Sequence, residues 1–181
     1  SCVVPGLIYK TEYKFKAQAV NIAGAGTLSN YSDPVTLVLA QSISALNLSN
    51  ASFASSGRTL GSVATSGLPV TFTASPSSVC TLPNETSTAL SYVHAGICTV
   101  TANQSGAGSR YSPAAEVSES FTVTADAPDA LTLLQLSPGA FKLDATWSLA
   151  TQLGGSTLTG YVISYAKDPS FSDENTLSST D

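Results

Sequence analysis

The sequence predicts an all-β fold. Apolar and polar residues alternate one by one over residues 13–20, 98–102 and 141–147, and a period of two is typical of half-buried β-strands. Glycine- and proline-rich turn signals separate these stretches. The 181 residues are enough for about one or two sandwich domains.

The N-terminal part predicts two strands joined by a hairpin. The first runs over residues 13–20, with Tyr13, Phe15 and the alanines on one face and lysines on the other. Residues 21–26 follow as a hairpin loop, whose glycines permit positive φ. The second strand runs over residues 34–39.

This part resembles the end of a fibronectin type III domain, in which a leucine precedes the tyrosine that opens such a strand and loop. The matching positions are Leu7, Tyr13, Phe15, Ala17, Ala19, Asn21, Gly24, Gly26 and Ser29. The resemblance implies that Tyr13 is the corner tyrosine, whose hydroxyl bonds back to nearby backbone. It also implies that Leu7, Tyr13 and Phe15 are core residues.

The C-terminal part predicts three strands. The first two, residues 131–136 and 141–147, flank a turn at Ser137, Pro138 and Gly139. A loop over residues 154–160 leads into the third strand, residues 161–165.

The order of these features resembles the first half of a fibronectin type III domain. Trp147 matches the buried tryptophan of the second strand, and residues 158–165 match the approach to the third. The resemblance implies that Trp147, Tyr161 and Ile163 belong to a core.

Residues 1–40 and 125–181 therefore predict the two halves of one split sandwich. Together they have about the 100 residues that such a sandwich needs. Each half alone leaves an open apolar face and unpaired strand edges. The expected partner is a neighbouring copy of the chain, either a separate molecule or a tandem repeat, joined head to tail. The chain has no methionine, so we expect it to be a piece of a longer protein.

Residues 41–124 form a third predicted unit, with β patterns at 70–74, 98–102 and 121–123. It resembles an Ig-like repeat common in large microbial surface proteins. The matching positions are Ser66, Gly67, Leu68, Pro69, Val70, Val79, Cys80, Thr81, Gly96, Cys98, Thr99, Ala102, Gln104, Gly106, Tyr111, Ala114, Ser120, Phe121 and Val123. The resemblance implies Ig-like and fibronectin III β-sandwiches in tandem, a spacer role and no active site.

The three cysteines are informative. The resembled repeat pairs Cys80 with Cys98, so a disulfide is expected. A metal site is the alternative, but the chain has one histidine and no Cys-x-x-Cys motif. Cys2 is left without a partner in this sequence.

Five asparagines begin Asn-x-Ser/Thr sequons, which are acceptors for N-glycans in secreted proteins. They are Asn30, Asn47, Asn50, Asn84 and Asn103. Glycans would help to keep the chain soluble, since only 10% of its residues are charged, against about 25% in typical soluble domains. The alternative is that a chain rich in Ser and Thr generates sequons by chance.

The remaining signals argue against several classes of function. A net charge of −5 does not favour nucleic acid, which binds basic surfaces, and no apolar run is long enough to span a membrane. His94 is the only histidine, which leaves no basis for a serine–histidine triad. Asp168, Asp173 and Glu174 fit a solvated turn better than a Ca²⁺ loop.

The sequence thus predicts no enzyme, no cofactor and no metal. It predicts a glycosylated, extracellular or cell-surface structural repeat that assembles through Leu7, Tyr13, Phe15, Trp147, Tyr161 and Ile163. The alternative is an adhesin- or receptor-type binding module with exposed loop aromatics, for which Tyr31, Tyr92 and Tyr111 are the candidates. An accessory segment of a secreted enzyme is a further alternative that no residue favours.

Overall fold

The computed structural model describes residues 2–108, 110–167, 170, 172 and 174–180, and its regular structure is almost entirely β. This confirms the predicted fold class. The one helix in the described part is a 3₁₀ helix of three residues, Phe53–Ser55. Within the same residues, no helix has the length and apolar content needed to cross a membrane.

The N-terminal part contains four two-residue strands. They are β1 (Glu12–Tyr13), β2 (Val20–Asn21), β3 (Gly24–Ala25) and β4 (Val35–Thr36). β1 pairs with β4, and β2 pairs with β3 across the predicted hairpin loop. The predicted continuous strands over residues 13–20 and 34–39 are wrong, because regular pairing is confined to these short segments.

A mismatch in length explains the interrupted strands. From Tyr13 to Val20 the first segment advances seven residues, while its partner uses ten between Ala25 and Val35. Ser32 bridges the gap, since its hydroxyl accepts the Phe15 N–H at 3.0 Å and its own N–H donates to the Phe15 carbonyl at 2.9 Å. Ser29 binds Ala17 in the same way. Between these two segments, serine hydroxyls thus accept the N–H groups that backbone carbonyls accept in a regular strand pair.

The middle part is a two-sheet sandwich. Its strands are β5 (Ala51–Ser52), β6 (Gly57–Thr59), β7 (Thr71–Ser75), β8 (Cys80–Thr81), β9 (Ala89–Tyr92), β10 (Gly96–Asn103) and β11 (Val117–Thr124). One sheet has the order β5-β11-β10-β7 and the other β6-β9-β8. All pairs are antiparallel except β5 with β11, which is parallel.

The buried core lies between the two sheets of the middle part. Alternation along β10 places Cys98, Val100 and Ala102 inside, each with no exposed surface, while Thr99 and Thr101 point outward. Every buried apolar residue of the described chain falls between positions 43 and 123. The core members are Ile43, Leu46, Leu60, Ala64, Phe72, Cys80, Leu90, Tyr92, Cys98, Val100, Ala102, Phe121 and Val123.

The C-terminal part forms two separate hairpins. β12 (Leu133–Gly139) pairs with β13 (Lys142–Trp147), and β14 (Gly160–Tyr165) pairs with β15 (Asn175–Thr180). The predicted turn at residues 137–139 is wrong. These residues finish β12, and the chain reverses at Ala140 and Phe141, where Phe141 has φ +60° and is fully exposed.

The N-terminal part is attached to the sandwich through Leu39 and Gln41. Leu39 donates its N–H to the Arg110 carbonyl at 2.8 Å and accepts from Ser112 at 3.0 Å, which explains why it leaves the predicted strand. The Gln41 side chain donates to the Gln104 side chain and to the Ser112 carbonyl, and it accepts from the Ser66 hydroxyl.

Candidate functional site: open apolar faces

The β12–β13 hairpin has one apolar face. The register sets Leu133 opposite Trp147, Leu136 opposite Ala145 and Pro138 opposite Leu143. Residues directly opposite one another on antiparallel strands share a face, so these six side chains form one surface. The other face carries polar pairs such as Ser137 with Asp144. Leu133, Leu136 and Leu143 remain 57%, 50% and 59% exposed.

The β14–β15 hairpin has a matching face. Tyr161, Ile163 and Tyr165 alternate onto one side of β14, and Leu177 lies opposite Ile163. The rings of Tyr161 and Trp147 are in tilted contact, with centroids 5.3 Å apart. The apolar faces of the two hairpins therefore meet at these aromatic rings, while Leu177 and Tyr165 remain exposed.

The N-terminal part also presents apolar side chains to solvent. Tyr13 lies opposite Val35, and the Tyr13 and Phe15 rings are 6.4 Å apart. The Tyr13 hydroxyl accepts the Ile8 N–H at 2.8 Å, which confirms the predicted bond from the tyrosine to nearby backbone. Phe15, Val20 and Val35 are exposed.

The predicted core residues of the two terminal parts are thus incompletely buried. Leu7, Tyr13, Trp147, Tyr161 and Ile163 are half-buried, and Phe15 is exposed. No strand pairing joins the N-terminal and C-terminal hairpins in the part of the chain that the structure describes. A single chain therefore does not bring the two sets of predicted residues into one sheet.

Large exposed apolar side chains are concentrated in these terminal parts. In the middle sandwich, the described residues of this kind are Val63, Val93 and Ile97. Fully burying one exposed leucine or valine side chain is worth about 1.5–3 kcal/mol. Contiguous exposed apolar patches on soluble proteins commonly mark interaction surfaces.

Cys80 and Cys98 form the expected disulfide. Cys80 lies on β8 and Cys98 on β10, so the bond joins the two sheets of the sandwich, with a Cα–Cα distance of 5.9 Å. Cys2 is an exposed free cysteine.

Four of the five sequon asparagines are exposed, and Asn103 is half-buried within β10. Asn84 lies between β8 and β9, and its side-chain oxygen Oδ1 accepts the Thr86 N–H at 3.0 Å and the Thr86 hydroxyl at 2.8 Å. This local turn holds the sequon at the surface.

The residues considered for chemistry or binding are scattered. His94 is exposed, and its Nδ1 lies 3.0 Å from the Ser78 carbonyl. Of the three loop aromatics, Tyr31 is exposed, Tyr111 is half-buried and Tyr92 is buried, where Arg58 donates to its hydroxyl. Asp168 and Asp173 lie outside the described residues.

Sequence reasoning missed a contact between the middle and C-terminal parts. Asp126 accepts hydrogen bonds from the Ser52 hydroxyl and the Ala54 N–H, and these bonds lower the pKa of its carboxyl group. Gly154 and Gly155, read only as loop residues, are buried at this contact. The residues that contact these two glycines lie too far away in sequence for a local pattern to reveal the contact.

Comparison with protein-family models, curated proteins and solved structures finds no match to this chain.

Proposed function

We propose that this chain is a non-enzymatic structural repeat of a glycosylated extracellular filament or stalk. Its units join head to tail when the N-terminal part of one unit completes the C-terminal hairpins of the next. The resulting joint has the composition of a fibronectin III-like sandwich. The observation that carries the proposal is the contrast between a middle sandwich with a closed core and terminal parts whose apolar faces are open.

The C-terminal and N-terminal parts offer different components of one sandwich. The C-terminal hairpins offer two apolar faces that are in contact at Trp147 and Tyr161. The N-terminal part offers Tyr13 in the corner geometry that Ig-like sandwiches show near their penultimate strands. Each described C-terminal strand pairs with one neighbour, which leaves edges where an added strand can bind through backbone hydrogen bonds.

The compartment follows from the cysteines and the sequons. A disulfide that spans a core is typical of proteins that fold in an oxidising environment. Exposed Asn-x-Ser/Thr sites fit the same secretory route. We therefore place the filament outside the cell.

The assembly prediction is tested with a charge placed in either open face. Trp147→Asp and Tyr13→Asp should each abolish association, because a carboxylate would have to be buried without a partner. Sedimentation and electron microscopy at increasing protein concentration should show multimers for the parent chain and monomers for both variants.

Val63→Asp is the matched control, since Val63 is an equally apolar, 65% exposed residue of the middle sandwich. This variant should assemble as the parent does. Filaments that persist in both face variants, or a parent chain that stays monomeric at every concentration, would rule the proposal out.

A further inference from the structure

We infer that the contact between the middle sandwich and the C-terminal hairpins is a fixed joint, which holds the hairpins in one orientation. The joint comprises Ser52, Phe53, Ala54, Ala95, Asp126, Gly154 and Gly155. Adjacent domains that share only a flexible linker move relative to one another by default. The joint replaces that freedom with direct contacts, and its existence does not depend on the proposed assembly.

The two glycines bring the loop backbone directly onto the outgoing chain at Asp126 and onto the sandwich at Phe53. Gly154 and Gly155 have φ values of +65° and +79°, a region that residues with a Cβ rarely adopt. A Cβ on Gly154 would lie 1.9 Å from the Asp126 carbonyl oxygen. A Cβ on Gly155 would lie 2.5 Å from the Phe53 ring. Both the approach and the backbone conformation therefore require glycine.

Hydrogen bonds fix the same loop at two further points. The Gly155 carbonyl accepts the Ala95 N–H at 2.7 Å, and the Gly154 carbonyl accepts the Asp126 N–H at 2.9 Å. Ala95 immediately precedes β10, whereas Asp126 follows β11. The Ala95 bond and the Phe53 ring attach the loop to the sandwich directly, and Asp126 attaches it indirectly through its own bonds to the sandwich. Together these contacts oppose rotation about any single bond.

Asp126 ties the outgoing chain back to the sandwich. Its carboxylate accepts the Ser52 hydroxyl at 2.7–2.8 Å and the Ala54 N–H at 2.7 Å. Hydrogen bonds to an ionised acceptor are among the stronger ones in proteins. The linker therefore starts from an anchored residue. Within the C-terminal part, the Asp129 N–H donates to the Gln152 carbonyl at 2.9 Å, which holds the linker against the loop.

If the proposed assembly operates, the joint also has a role in it. The orientation of the C-terminal hairpins sets the direction in which the next unit is added. A fixed orientation gives a filament with a regular repeat, whereas a free one gives a flexible string of units.

The joint is tested by measuring a distance across it. Nitroxide labels are placed at Thr73→Cys on β7 and Thr146→Cys on β13, both exposed, in a Cys2→Ser background. Double electron–electron resonance on the dilute full chain should give one narrow distance distribution. Gly155→Val should lose that narrow peak, because the added side chain displaces the loop from Phe53.

Gly67→Val is the control, since Gly67 has φ +74° but nothing within 4 Å of its Cβ position. It should keep the narrow peak. Thermal unfolding of each variant reports whether the sandwich itself remains folded.

Asp126→Ala is a second variant that leaves the glycines intact, and it should also broaden the distribution. A broad distribution in the parent chain, or a narrow peak in both joint variants, would overturn the inference. Because the samples are dilute, these outcomes hold whether or not the chain assembles at high concentration.

Discussion

The hydroxyl of Tyr13 accepts the N–H of Ile8, five residues upstream. The resemblance to a fibronectin type III ending predicts a bond from this hydroxyl to nearby backbone, because in that family the two partners are close in sequence. Asp126 is the opposite case. Its partners Ser52 and Ala54 lie more than seventy positions away, so only the folded chain brings them together.

Asp126 should make stability depend on pH in a specific direction. Its folded pKa is lowered from an ordinary value of 3.8, chiefly by the Ser52 hydroxyl. Its ionised form therefore stabilises the fold at neutral pH, and this contribution is lost as the pH falls below 3.8 through the lowered pKa. The Asp126→Asn variant should be less stable than the parent at neutral pH. This difference in stability, the gap between the two chains, should disappear in acid.

Thermal unfolding of both chains from neutral pH down to about pH 2 would measure this gap. Glu116→Gln removes another exposed carboxylate from the middle part, and as a surface substitution it should change the stability at neutral pH by less than about 0.5 kcal/mol. A gap between parent and Asp126→Asn that stays constant over the whole range would contradict the assignment.

At the scale of the strands, the disulfide between β8 and β10 should make a large contribution to stability. It closes a loop with a sequence separation of 18, for which restriction of the unfolded chain gives roughly 3 kcal/mol. Replacing both Cys80 and Cys98 by alanine should lower the free energy of unfolding by about that amount. Denaturant titration measures the change.

Cys2→Ser serves as the comparison, because Cys2 is exposed and unbonded. Surface substitutions of this kind change stability by less than about 0.5 kcal/mol. Equal stability of the double alanine variant and the parent chain would show that the disulfide does not stabilise the sandwich.

Strand positions were predictable where one face is buried. The alternation over residues 98–102 locates β10, because Cys98, Val100 and Ala102 fill the core. The turn at residues 137–139 was mispredicted because proline and glycine usually mark turns. Pro138 lies instead in β12, which has one neighbouring strand, and a strand at the edge of a sheet tolerates a missing N–H.

The N-terminal strands were overpredicted for a different reason. Alternation reports which side chains share a face, but it does not report the length of the partner segment. The hydroxyls of Ser29 and Ser32 accept backbone N–H groups of the shorter segment, so the longer partner segment stays bonded to it. Ser29 is a matching position of the resembled motif, but the resemblance does not identify it as an acceptor. Nothing in a sequence so rich in serine distinguishes Ser32 from the others.

At the scale of the whole molecule, the exposure of each sequon predicts how fully it carries a glycan. In native material, Asn30, Asn47, Asn50 and Asn84 should carry glycans more fully than Asn103, because Asn103 is half-buried within β10. Mass spectrometry of peptides before and after enzymatic deglycosylation measures each site. Asn175 lies outside any sequon and should remain unmodified.

The absence of any mass change in native material would remove glycans from the proposed function. The assembly and joint predictions would be unaffected, because neither involves the asparagine side chains.

The parallel pairing of β5 with β11 has a mechanical consequence. β5 is the first strand of the sandwich and β11 is the last, and the two run side by side in the same direction. Tension applied between the start of β5 and the end of β11 would slide one strand along the other. The bonds from the Thr122 N–H to the Asn50 side chain and from the Thr124 hydroxyl to the Ala51 carbonyl would then resist this sliding together. Such a shear geometry resists force better than one in which the bonds break one after another.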